Sequence, residues 1–500
     1  MKTLSRRGFM AAGAATLAAA QFPAMAFGQP AAPLRLAATR RTLDIDGRAA
    51  TVFGLAGPGG QGLVLDPGQR FRVDLTNDLD IGTIIHWHGQ IPPNAQDGVP
   101  DMPMPLLAPG ESRSYDFAPL PGTHWMHSHV PIQEMQLLAA PLIVRRPEDV
   151  AADRQEVVLF LHDFSFKAPE EVLEQILGGH GGGHGGGTAS GGMAGMNHGS
   201  MNDGGMAGMD HGVSADGAMA MPMDMGGMAM DLNDYDWDAY LANDRTLSDP
   251  EIVSVERGGR VRLRVINAAA ATVFWIDTGA ATGRLVAVDG HDVQPVSGSR
   301  FGLAMGQRLD IEIDLPNEGG AWPILALREG ARERTGIILS TPGAAIARLE
   351  PKAEVEAPPF DIDLAQESGL AAIEGLSDRA VDHSQMVMLG GSMQPYVWTI
   401  NGAVWGEHRP VAATAGERVE LAFHNMSMMG HPMHLHGHAF QVVGINGRRV
   451  AGARRDTVYV PPMSMVTVAL DAGEAASWML HCHHMPHLAT GMMTEFRVAT

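Results

Sequence analysis

One cysteine in 500 residues excludes an intramolecular disulfide and any cysteine-rich zinc or iron–sulfur framework. Basic residues are outnumbered by acidic ones, 35 against 56, and the net charge of −21 argues against nucleic acid or an anionic membrane surface as partner. No stretch reaches the ~18 apolar residues that a membrane span needs. Long helical periodicities are also few, with short candidates only near 168–177 and 365–374, which argues against a helical bundle. At ~150 residues per domain the length calls for about three domains, not one core.

The first residues read as an address. Ser5-Arg6-Arg7-Gly8-Phe9-Met10 precedes an apolar run and then Ala24-Met25-Ala26, which together make a charged region, a hydrophobic region and an A-x-A cleavage site with paired arginines. Residues 1–26 are therefore expected to be a twin-arginine export signal, with the mature protein in the periplasm. The other reading is an N-terminal helix of the fold.

Beyond that segment, alternating apolar and polar residues bounded by Gly, Pro and Asn read as strands. One pattern occurs three times: GQRFRVDLTN at 68–77, GGRVRLRVIN at 258–267 and GERVELAFHN at 416–425. The spacing is too long for a solenoid and marks repeated domains. An all-β chain of three sandwich or barrel domains is expected, at 33–147, 155–350 and 358–500.

The middle domain carries a low-complexity insert, 178–230, with 11 of the 32 methionines and four of the 22 histidines. It lacks a hydrophobic pattern and should not fold alone. It is either an inert Gly-rich loop or, given Met193, Met196, Met201, Met206 and Met209 beside His198 and His211, a binder of soft Cu(I).

Four His-x-His pairs stand out: His86/His88, His127/His129, His434/His436 and His481/His483. His86 and His434 each lie nine residues after the closing Asn of the repeat, where the middle repeat has Ile276. The outer domains keep ligands and the middle one lost them, so a metal site is expected between the first and third domains. In an extended segment residues i and i+2 point the same way, so each pair can face one metal cluster. Cys482, between His481 and His483, must then point to the opposite side, toward a second site linked to the first by its own flanking backbone. His487 and Met492 lie downstream and His431 upstream, and two His, one Cys and a weak axial Met are the ligands of a blue-copper electron-transfer centre.

As a set, His86-Trp-His88-Gly, His127-Ser-His129, His431-Pro-Met-His434-Leu-His436 and His481-Cys482-His483 with His487 and Met492 resemble the four copper segments of the multicopper oxidases. The resemblance covers nearly all of the mature chain. It implies three cupredoxin-like Greek-key domains and four copper ions. His431, Cys482, His487 and Met492 would hold the mononuclear blue copper. In the trinuclear cluster His86 and His434 would hold the single copper, and His88, His127, His483 and His129, His436, His481 the coupled pair. The implied reaction is one-electron oxidation of a reductant coupled to reduction of O2 to water.

Within that family, the export signal and Met-rich insert look like the periplasmic cuprous oxidases of copper tolerance. Asp97 matches an acidic residue that assists proton delivery there, although an Asp-Gly turn is the simpler reading. Two positions depart from that branch: Leu488 replaces an acidic residue after the blue-site His, and Ser427 replaces an Asp that binds substrate copper, while Met429 is retained. The expected partners are O2 and either Cu(I) or small phenolic reductants, and a monomer is expected. The alternatives are a laccase acting mainly on organic phenols and a copper-sequestering protein.

Overall fold

The computed structural model describes residues 32–179 and 232–500. The 1–26 segment lies outside the described residues, as does the insert from 180 onward, with Met193, Met196, Met201, Met206, Met209, His198 and His211. The described chain is all-β, six sheets forming three successive pairs. The first pair takes strands between Leu34–Ile45 and Ala139–Val144, the second between Gln155–Phe164 and Arg334–Ser340, and the third between His383–Met393 and Met493–Ala499.

The thrice-repeated pattern is an interior strand of each unit. Phe71–Asn77, Arg260–Asn267 and Arg418–Asn425 each run parallel to the first strand of their unit and antiparallel to a later one. A parallel neighbour within a mainly antiparallel sheet needs a long return connection, which is the Greek-key wiring. Alternation follows the pleat. In the first unit Phe71, Val73 and Leu75 point inward and pack with Leu63, Leu142 and Met126 of the facing sheet.

The closing Asn of the repeat does the same work three times. Asn77 Nδ2 donates to the carbonyls of Ile81 and Leu107, Asn267 Nδ2 to those of Thr272 and Leu303, and Asn425 Nδ2 to those of Met429 and Val460. Each Oδ1 accepts the backbone N–H two residues on. The side chain thereby satisfies backbone groups where the chain leaves one sheet for the other, a crossing that would otherwise bury them unpaired. In the outer units that crossing leads into the His-x-His segments.

Arg260–Asn267 is buried on both faces after its first residue. Its outward Arg262 and Arg264 meet Asp149, Asp310 and Glu156, and Arg264 also donates to Thr123 of the first unit. Helices are short. Pro169–Gly179 falls on the expected 168–177, whereas the helix expected over 365–374 stops after Ala365–Gly369, where Ser368-Gly369 ends it and Leu370 is extended.

Candidate copper centre

Strand register builds the site. His86 lies directly across from His127, and His434 across from His481. These paired strand ends come from the first and third units, and they gather three sets whose ligand atoms lie within 4.8 Å of one another: His86, His88 and His434; His88, His127 and His483; His129, His436 and His481. All eight imidazoles are buried.

Their hydrogen bonds fix which nitrogen faces inward. His86 Nδ1 donates to the Asp97 carbonyl at 2.8 Å and His434 Nδ1 to the Asp456 carbonyl at 2.9 Å, leaving lone pairs on two Nε2 atoms only 3.3 Å apart. His436 Nδ1 donates to Asp97 Oδ2 at 2.8 Å and His481 Nδ1 to the Cys482 carbonyl at 2.9 Å, which brings their Nε2 atoms to 3.1 Å. Facing lone pairs at this distance repel unless a cation joins them. His88 Nδ1, His127 Nε2, His129 Nε2 and His483 Nε2 are buried without a partner, an arrangement that is costly unless a metal is bound. Burial and the neighbouring imidazoles hold His88, His127, His129, His436, His481 and His483 well below the usual histidine range, so these rings are neutral. The donor set fits copper ions.

Cys482 points the other way, as alternation requires. Its Sγ lies 3.7 Å from His431 Nδ1 and 3.6 Å from His487 Nδ1, and those two nitrogens are 3.1 Å apart. Burial pushes the thiol up, so a bound cation must supply the drive to deprotonate it. Met492 is fully buried, and its backbone clasps both ligands: its N–H donates to the His487 carbonyl and its carbonyl accepts from Cys482. Met429 is buried beside Ser427, whose hydroxyl meets His431 Nε2 at 2.8 Å. Trp398 lies along His487, with ring centroids 4.1 Å apart.

Several supporting residues have no motif to announce them. Asp456 Oδ1 meets His88 Nε2 at 3.1 Å and Arg308 Nη1 at 2.7 Å. Burial alone would raise its carboxyl, yet Arg308 holds it well below the usual range. A buried chain of alternating charge continues from Arg308 through Asp289 and Arg455 to Glu367. The middle unit thus supports a site to which it gives no His. Gly306 of the same unit, at φ +79°, approaches so closely that a Cβ there would lie 2.9 Å from His483. Glu134 meets His127 Nδ1 at 3.0 Å. The outer nitrogen of His487 faces Asp234 Oδ2 at 3.7 Å, and the same carboxylate lies 3.4 Å from His484 and accepts from the Tyr396 hydroxyl.

Three Greek-key units, a His2Cys site and an eight-His cage joined to it through His481-Cys482-His483 define a copper oxidase. The chain belongs to the multicopper oxidase family, whose sequence profiles match residues 39–149, 200–348 and 379–500. It is a copper-dependent oxidoreductase, and the cofactor is four copper ions. It is 30% identical to "Multicopper oxidase MmcO" of Mycobacterium tuberculosis, over 99% of this chain and 96% of that one. It is 25% identical to "Copper resistance protein A" of Escherichia coli, over 86% of each. In fold it is similar to the laccase from Botrytis aclada, with a TM-score of 0.69 at 20% identity over 93% of this chain and 87% of that one. The multicopper oxidase from Pseudomonas thermotolerans gives a TM-score of 0.65 at 22% identity, over 93% and 98%. The domains are cupredoxin-like. Among the described residues no helix is long and apolar enough to cross a membrane.

Proposed function

We propose that this enzyme oxidises Cu(I), one electron at a time, in copper tolerance: four Cu(I), one O2 and four protons give four Cu(II) and two waters. His431, Cys482, His487 and Met492 would hold the mononuclear copper. His86 with His434, His88 with His127 and His483, and His129 with His436 and His481 would hold the other three ions. Bound there, copper supplies the one-electron carriers that reduction of O2 requires. Anchored N–H groups aim the lone pairs of His86, His434, His436 and His481 before the metal arrives, and the peptide of His481-Cys482-His483 is the shortest covalent span between the two sites, shorter than that from His431 to His434. We read 1–26 as the export signal, so the setting is the periplasm, and we take 33–147, 155–350 and 358–500 as the domains.

The observation that carries Cu(I) over a phenol is the closure of both blue-site imidazole edges. Ser427 covers His431, and Asp234, Tyr396 and His484 cover His487, which is fully buried. An aromatic donor needs an open ring edge. A small cation needs electron-pair donors, and Asp234 Oδ1 and His484 Nδ1 are buried there without partners. The same closure bears on the insert, whose methionines have no exposed His487 edge to approach directly and would hand copper to this carboxylate. Deleting 178–230 should slow Cu(I) oxidation and leave phenol oxidation unchanged or faster, measured as O2 uptake with each donor. Unchanged Cu(I) kinetics would make the insert an inert loop and favour the phenol reading.

Asp97 is buried in the cage wall, bonded to His436 through Oδ2 and to His86 through its carbonyl, with Oδ1 unpartnered. We read it as the carboxylate that passes protons inward, a load that Leu488 cannot share. Asn at this position keeps an acceptor for His436. Asp97→Asn should therefore retain copper and blue absorption while turnover falls about 10²-fold, the lower end for general acid catalysis. Unchanged turnover from about pH 5 to 8 would leave Asp97 only its turn and its hold on the two histidines.

A further inference from the structure

The third unit carries a soft-donor patch apart from both ligand sets. Strands His383–Met393, Arg418–Asn425 and Met465–Asp471 lie side by side, and their register sets Met388 against His424 and His424 against Met465. Their neighbours Val387, Leu389, Phe423, Asn425 and Val466 are buried in the sandwich, so the trio shares the outward face, where it is partly exposed. Directly opposed side chains stand about 5 Å apart at Cβ. Methionine has three rotatable bonds, so both thioethers can lean over the imidazole between them.

The row continues past the end of the ladder. Met426 follows His424 by two residues and Met463 precedes Met465 by two, and they are 58% and 62% exposed. Together with Met386 and Met428, these are the only exposed methionines among the described residues, and all four lie between 386 and 463. Scattered apolar exposure needs no explanation, but a cluster of one residue type around a histidine does. Glu420, on the same strand as His424 and four residues before it, is paired with Arg449. The donors left are thioethers and an imidazole, which favour Cu(I) over hard divalent ions.

We propose that Met388, His424 and Met465 form a Cu(I)-binding site on the outer sheet of the third unit, with Met426 and Met463 as flanking donors. The strand bearing His424 runs on to Ser427, whose hydroxyl meets His431, so the site lies beside the blue-site loop. Binding stands on this donor set alone; delivery of Cu(I) to the enzyme rests on the proposed function.

The test uses the full-length, four-copper protein and Ag(I), a soft monovalent ion that does not donate an electron under these conditions. The wild type is compared with the triple variant Met388→Leu, His424→Gln, Met465→Leu, which keeps volume on an outward face. Calorimetric titration should show the variant taking up one fewer equivalent of Ag(I), or binding it at least tenfold more weakly, with blue absorption and Tm unchanged. Identical titrations would overturn the site. With Cu(I) as donor, KM should rise severalfold in the variant while phenol turnover holds. A wild type that loses the equivalent on mutation yet oxidises no Cu(I) would keep the site and remove the substrate reading, so the two fail separately.

Discussion

Cys482→Ser is expected to remove the blue absorption and reduce oxidase turnover to background while about three of the four coppers stay bound. Cys482 is the sole thiol of the chain. It is held 3.6–3.7 Å from the ring nitrogens of His431 and His487. A thiolate is the soft, covalent ligand that gives such a site its colour and its electron path; a hydroxyl is neither. The eight cage imidazoles keep every hydrogen bond that aims them, because His481 bonds the backbone carbonyl of residue 482 and not its side chain. Copper analysis with visible absorption reads both halves. A variant that is still blue and active would contradict the site assignment.

Asp456→Ala is expected to cost about 3–5 kcal/mol of stability, the range for breaking a buried ion pair, and to lower cage copper as well. The carboxylate is buried with Arg308, and its loss leaves a guanidinium that is entirely removed from solvent with only Asp289, 3.7 Å away, as counter-charge. It also releases His88 Nε2, which then has only Thr457 Oγ1 at 3.0 Å to hold its tautomer. Adding Arg308→Met separates the two effects. An apolar replacement of the whole pair should recover much of the lost stability, yet His88 is still held by Thr457 alone and copper content should stay low. Thermal melts and copper analysis of the single and double variants check this. Recovery of both would show that the pair serves stability alone.

The sequence displays the ligands because spacing is a local property. His-x-His in an extended segment points two rings one way, and the Cys between two His must point the other, so both sites and their connection can be read from the strand period. The repeat 68–77, 258–267 and 416–425 likewise locates an interior strand of each unit. Its closing Asn carries a structural meaning that the pattern alone does not reveal: the side chain ties the inter-sheet crossing by at least three hydrogen bonds whose partners lie up to 36 residues away. Asp456, Glu134, Arg308 and Asp234 are invisible in sequence for a related reason. Each is a lone charged residue whose partner sits on another strand or unit, as with Arg308 and Asp456, 148 residues apart. The Met388–His424–Met465 row is hidden in the same way, since it exists only across three strands in register. The helix expected to run to 374 shows the opposite error, in which a local apolar spacing outweighed Ser368-Gly369.

Cu(I) oxidation is measured as O2 uptake by the copper-loaded enzyme while a known amount of Cu(I), held by a weak chelator, is supplied. One O2 should be consumed for about every four Cu(I) oxidised, with no hydrogen peroxide released. No Cu(I)-dependent uptake by an enzyme that still oxidises phenols, or peroxide formed at about one per two Cu(I), would contradict the proposed reaction.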